Sequence, residues 1–139
     1  MSFRDFSILL LRVSIGLLLV FWGLDKVVNT EHAVAVSDKF YLGLFSQVML
    51  LQIFGVAEAL IGIIIVFGIW RKYTYPVMIL MNAVSAIGVW KSIVDPWGWY
   101  LQGTNVLFYP SLIILAGSFV LLAFMEFDNV ALDVKLENR

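Results

Sequence analysis

The chain has no cysteine, one histidine (His32), three prolines and few charges for its 139 residues. Without cysteine there can be no disulfide, thiol redox chemistry, cysteinyl iron–sulfur cluster or covalently attached haem. A lone histidine excludes bis-histidine haem ligation within one subunit, and no metal site is expected from the other side chains. Any redox cofactor would have to be held by other ligands or by a partner. Charged residues make up 14% of the chain, against about 25% in an ordinary soluble domain. The formal net charge is −1, so no basic patch points to nucleic acid or to an acidic surface.

What is abundant is apolar. Hydrophobic residues account for 62% of the chain, and mean hydropathy is +0.96. They gather into runs at 6–24, 48–70, 75–94 and 106–125. At about 1.5 Å rise per residue, about twenty helical residues cross the ~30 Å hydrocarbon core of a bilayer. The expectation is one all-α domain, an antiparallel bundle of four transmembrane helices in contact with lipid. The third run reaches that length only if Lys91 snorkels to the interface. Arg12 interrupts the first run, which is therefore not read as a cleavable signal peptide.

Punctuation supports these boundaries. Thr74 is placed to cap the third helix, with Pro76 in its first turn; Thr104 or Asn105 is placed to cap the fourth, with Pro110 close behind. Asp95-Pro96-Trp97-Gly98 is a turn signal. The short Arg71-Lys72-Tyr73 connection predicts an antiparallel hairpin. In the longer first connection, Phe40, Tyr41, Leu42, Leu44 and Phe45 suggest a short interfacial or re-entrant segment. The tail at 126–139 reads as a cytoplasmic extension. Four crossings would put both termini on one side with Arg4, Arg71, Lys72, Lys135 and Arg139, leaving Lys26, Lys39 and Lys91 on the other. That excess favours cytoplasmic termini in a multi-pass inner-membrane protein.

Two charges stand inside apolar runs, Arg12 and Glu58. Insertion scales put an ionised residue near a helix centre at roughly 2.5–3.5 kcal/mol. At about 100° per residue, Arg12, Gly16, Gly23 and Lys26 share one arc of the first helix. Gly55, Glu58 and Gly62 share a face of the second, and Asn82 and Ser85 a face of the third. Small residues let helix backbones approach closely in lipid, so Gly16, Gly23, Gly55 and Gly62 are packing candidates. Arg12, Glu58, Asn82, Lys26, Asp25 and Ser85 are the candidates for a polar network or ligand site.

From a common inner level, Arg12 lies about 12 Å deep and Glu58 about 20 Å. The expected arrangement is a single interior network in which Asn82 or water joins them. The bland alternative is an ion pair that only fixes helix register. At an effective dielectric near 20, a pair at about 4 Å gains about 4 kcal/mol, comparable with two insertion penalties. Asp25 and Lys26 read equally as interfacial charges, and His32 as a solvated loop residue.

Leu11-Arg12-Val13-Ser14-Ile15-Gly16, followed by Phe21-Trp22-Gly23-Leu24-Asp25-Lys26, resembles the opening of the DoxX family of small four-helix membrane proteins. Gly55-Val56-Ala57-Glu58-Ala59-Leu60-Ile61-Gly62 is similar to that family's second helix. The similarity covers the first two helices best, up to about Arg71. It implies a four-helix bundle in a bacterial or archaeal cytoplasmic membrane. More weakly, it implies association with respiratory or sulfur-compound redox systems, since DoxD-type relatives act as subunits of a thiosulfate:quinone oxidoreductase.

Two functional classes follow. In the first, the chain is an accessory subunit, not catalytic alone, whose helices dock another membrane protein or a second copy. In the second, the bundle binds a small amphipathic molecule such as a quinone. Arg12 and Asn82 would then hydrogen-bond its oxygens, and Glu58 would carry a proton. A transporter is disfavoured, because one four-helix chain leaves little room for alternating access.

Overall fold

A computed structural model describes residues 1–44 and 46–137. The expectations placed on Phe45 and Arg139 lie outside them. The chain is 78% helical, with no strand among the described residues. The helices are α1 (Phe3–Val28), α2 (Thr30–Phe40), α3 (Val48–Phe67), α4 (Arg71–Gly88), α5 (Trp90–Val94), α6 (Pro110–Ala123) and α7 (Leu132–Glu137). Among the described residues, three stretches are long and apolar enough to cross a membrane: Phe3–Val28, Val48–Phe67 and Val106–Ala123. That is the pattern of a multi-pass membrane protein. α4 carries Arg71, Lys72, Thr74, Asn82 and Ser85 and is less apolar than these three.

The most extensive contact in the molecule is between α1 and α3, and the next is between α4 and α6. α1 and α3 run antiparallel along a seam of glycines. A Cβ on Gly62 would stand 2.6 Å from the Gly16 carbonyl oxygen, and one on Gly55 would stand 2.6 Å from that of Gly23. The backbones therefore touch at two levels, with Gly16 opposite Gly62 and Gly23 opposite Gly55. Arg12, Ile15, Gly16, Leu19 and Gly23 form the buried stripe of α1.

Several boundaries differ from the sequence expectation. α1 begins three residues earlier than its apolar run, because Ser2 and Asp5 form a reciprocal capping box that holds a polar first turn. The hairpin turn lies at Gly68–Trp70 rather than at Arg71-Lys72-Tyr73, and Arg71 is the first residue of α4. Gly68 ends α3 in the left-handed region at φ 69°. Thr74 is consequently inside α4, and its hydroxyl donates to the Ile69 and Trp70 carbonyls instead of capping. The helical part of the first connection is the more polar Thr30–Phe40 segment, and the chain turns just after it. Asn105 behaves as expected, accepting the Leu107 N–H at 2.9 Å ahead of a 3-10 turn at Val106–Phe108.

Residues 125–137 do not extend away from the bundle. Asn129 donates to Asp5 at 3.2 Å, and the Arg4 guanidinium lies 4.8 Å from the centre of the Phe127 ring. The start of α1, the α3–α4 turn and the tail thus gather at one end, called here the inner end. The α1–α2 corner and the loop at 95–105 form the other.

If the glycine seam sets the α1–α3 distance, replacing Gly62 with valine should force the helices apart. Overpacking of this kind costs about 1–3 kcal/mol. Gly117→Ala meets only the flexible ends of Leu11 and Ile15 and should be close to neutral. Thermal unfolding in detergent reads both. An unchanged midpoint for Gly62→Val would contradict the seam.

Candidate functional site

The candidate polar residues separate into three groups stacked along the molecule. At the inner end, Arg12 Nη1 donates to Asp128 Oδ2 at 2.7 Å, with side-chain exposures of 2% and 1%. Arg71 Nη1 lies 3.7 Å from the same oxygen, and the Tyr75 hydroxyl donates to it at 3.4 Å. Arg71 also donates to the Met125 and Asp128 carbonyls at 2.8 and 3.3 Å. Asp133 accepts the Trp70 and Arg71 backbone N–H groups at 2.8 and 2.9 Å, so a distant carboxylate caps α4 where Thr74 was expected to. Gly68 leaves room for this: a Cβ there would collide with the Arg12 guanidinium and with Ala131.

At the middle level, Asn82 Nδ2 donates to Ser118 Oγ at 2.8 Å, which ties α4 to α6. Toward the outer end, Lys26 Nζ donates to Glu58 Oε2 at 2.6 Å and to the Trp22 carbonyl at 3.3 Å. Beside it, His32 Nδ1 and Asp25 Oδ2 are 2.7 Å apart, so His32 is a paired residue of α2 rather than a loop residue.

The expected single network through Arg12, Asn82 and Glu58 is therefore replaced by separate pairs, since each charge takes another partner. In an antiparallel pair, side chains lean toward their own N-termini. That tilt draws Lys26 and Glu58 together and Arg12 and Glu58 apart. Sequence reasoning does not reach Asp128, Asp133, Arg71 and Tyr75 as site residues. The signal for the two aspartates is a tail with alternating acids and apolar residues, ambiguous without its docking position, and Arg71 and Tyr75 stand at a helix start where they read as interfacial.

The outer pair faces a half-open cavity of about 500 Å³ lined by α1, α2, α3 and α4, with Phe108 and Ser111 at one side. Its walls are mainly apolar, including Leu51, Met81 and Val89. Polar groups are few: Asp25, Lys26, Glu58 and Ser85 from the candidate list, with His32, Ser37 and Tyr41 of the α2 segment. Arg12 and Asn82 are not among the lining residues. Ser37 is 2% exposed and its Oγ has no hydrogen-bond partner. α2 roofs the cavity. It is held there by the Phe40–Phe108 edge contact at 5.2 Å and by the Tyr41 ring lying on Gly88. Burial pushes the Tyr41 phenol up, partly offset by a hydrogen bond with Ser85, so the group stays neutral at physiological pH.

The outer loop is ordered around Asp95, which accepts backbone N–H groups of Tyr100, Leu101 and Trp99 at 2.6, 2.8 and 3.0 Å. Those bonds, the Tyr100 one foremost, hold its carboxyl below the usual range despite desolvation. Among the described residues no three metal-ligating side chains cluster. Compared with known protein families, curated proteins and solved structures, the chain finds no match.

Two outcomes are expected at the inner end. Asp128→Ala leaves the buried Arg12 guanidinium without its counter-charge, while Arg71 keeps Asp133, and should cost about 3–5 kcal/mol, read from unfolding in detergent. A loss below about 1 kcal/mol would show that the cluster does not bear on stability. Desolvation would raise the Asp133 carboxyl, but hydrogen bonds from Arg71 and Trp70 outweigh it and lower it from 3.8. Its stabilisation is then present above that value and lost as pH falls through the lower folded pKa. Hydrogen exchange of α7 and the α4 start should rise over that acid range, and Asp133→Asn should remove that component.

Proposed function

We propose that this chain is a DoxX-like integral membrane protein that binds a small amphipathic molecule, quinone-like in its chemistry, in the cavity beneath α2. The observation that carries the reading is the cavity itself: about 500 Å³, apolar-walled, with the Lys26–Glu58 pair on its surface. Small-molecule sites typically enclose 300–1,000 Å³, with a few polar groups that fix orientation. The Lys26 ammonium donates to a ligand carbonyl, and the Glu58 carboxylate accepts from a ligand hydroxyl. A proton released by that hydroxyl passes to the Glu58 carboxylate, and Lys26, already an ammonium, remains its hydrogen-bond donor. Tyr41 and Ser85 supply neutral hydrogen bonds. Arg12 and Asn82 are reassigned to helix positioning.

In this reading α4 is the fourth crossing. Its polar side chains are spent on Asp128, Ser118 and its own backbone carbonyls. The inner end carries Arg4, Arg71, Lys72 and Lys135, which supports placing it on the cytoplasmic side of a bacterial or archaeal membrane. The motifs around Arg12 and Glu58 support a place in a respiratory or sulfur-compound redox system. A second reading, an accessory subunit that docks a partner, is favoured by α6. Only 11% of the Val106–Ala123 span is buried within the fold, leaving most of that helix free for another membrane helix.

Purification from native membranes with mass spectrometry of co-eluting lipids and proteins tests both. The expected result is a retained small amphiphile, reduced at least tenfold in a Glu58→Gln variant of unchanged unfolding midpoint. Full retention in that variant would overturn the site. A stoichiometric protein partner with no bound small molecule would favour the accessory reading.

A further inference from the structure

We infer that the cavity opens sideways into the hydrocarbon between α3 and α4, so that its ligand is a bilayer-dissolved amphiphile whose tail remains in lipid. This rests on the ligand-binding reading above. The first support is the packing asymmetry. α3 and α4 are joined by the tight turn at Gly68–Trp70, yet they pack against each other far less than α1 does on α3 or α4 on α6. Two firmly built helix pairs therefore stand side by side, joined by lighter contacts of α3 with α4 and of α1 with α6. The second is what stands along the α3–α4 contact. Of the residues lining the cavity, Leu80 and Val84 of α4 and Phe54 of α3 are also open to the exterior, at 64%, 45% and 49% exposure.

Their level matters. Phe54 lies six residues into α3, about 9 Å below its outer end. Leu80 and Val84 sit in the second half of α4, nearer its outer end than its inner one. All three border hydrocarbon, and an opening framed by leucine, valine and phenylalanine admits alkyl chains more readily than water or ions.

The third support is the polarity gradient inside. Beside that apolar rim the walls carry hydrogen-bonding groups, the Lys26–Glu58 pair on α1 and α3 with Tyr41 and Ser85. A small oxygen-bearing head meets the ion pair, while its tail passes out beside Leu80 and Val84. At the outer side Phe40 is held against Phe108 and Tyr41 against Gly88, while the lining residues His32 and Asp25 are partly exposed, so the polar end of the cavity meets water and the apolar end meets hydrocarbon. The occupant this geometry selects is a single-tailed, uncharged amphiphile.

Trp22 lines the cavity and reports on it. In a protein whose Trp70, Trp90, Trp97 and Trp99 are changed to phenylalanine, reconstituted in phosphatidylcholine nanodiscs, a dibrominated long-chain alcohol should quench Trp22 saturably. Dibrominated phosphatidylcholine at equal bromine content, too bulky to enter, sets the baseline. In Leu80→Phe/Val84→Phe the saturable quenching should fall at least fivefold, while quenching by aqueous acrylamide is unchanged. Leu80→Ala/Val84→Ala, which widens the opening, should speed it; this second variant protects the test should the first fold poorly. Quenching that ignores both portal variants would overturn the lateral opening and leave the cavity reading standing. Absence of saturable quenching in the parent would overturn both.

Discussion

The contact of α1 with α3 through bare backbone governs where every other group can go. Gly16 against Gly62 and Gly23 against Gly55 bring two helices together closely enough to fix both their separation and their antiparallel register. In lipid this approach is favourable because dispersion contact between backbones replaces the hydrophobic drive that would operate in water. Once that register is set, the positions of the charges are no longer free. Lys26 and Glu58 fall where their natural tilt closes the gap to 2.6 Å. Arg12, one turn inward of Gly16, is carried to the end of α3, where Gly68 has no side chain to obstruct it.

The same register creates the problem that the tail solves. Arg12 at the inner end, joined there by Arg71, would be two cations within a nearly water-free contact. Residues 125–133 bring Asp128 between them and Asp133 onto the start of α4. An ion pair of this kind gains little net energy over apolar packing, but breaking it strands a charge. Its effect is therefore specificity: the C-terminal segment has one seat, and taking it fastens α1 and α4 together from below.

The apolar helices were legible in the sequence because length and hydropathy alone decide them, and the glycine stripes because small residues at helical spacing have few other uses in lipid. The individual partners were not. Arg12 was assigned toward Glu58 because both interrupt apolar runs, whereas its partner sits in a tail more than a hundred residues away whose composition resembles any cytoplasmic extension. The α4 boundary failed for the same reason: Thr74 had the right chemistry for a cap, but Asp133 supplies one from outside the local sequence. Ser37 could not have been noticed at all, since a serine in a polar segment signals nothing until the helix carrying it is laid over a cavity. Local signals found the elements; the site depends on contacts between segments that no local pattern records.

The two ends of the molecule use similar side chains to opposite effect, and the difference lies in what surrounds them. At the inner end, Arg12, Arg71, Asp128 and Asp133 bond one another and backbone groups across α1, α4 and the tail, so that cluster serves as a clamp. At the outer end, Lys26 and Glu58 are just as close, yet one flank of the pair borders about 500 Å³ of mainly apolar space. A pair needed only for register would be better placed with leucine packed over it, since an open flank adds desolvation cost without contact. Retaining that space beside a buried ion pair is what makes the outer half the place to look for chemistry.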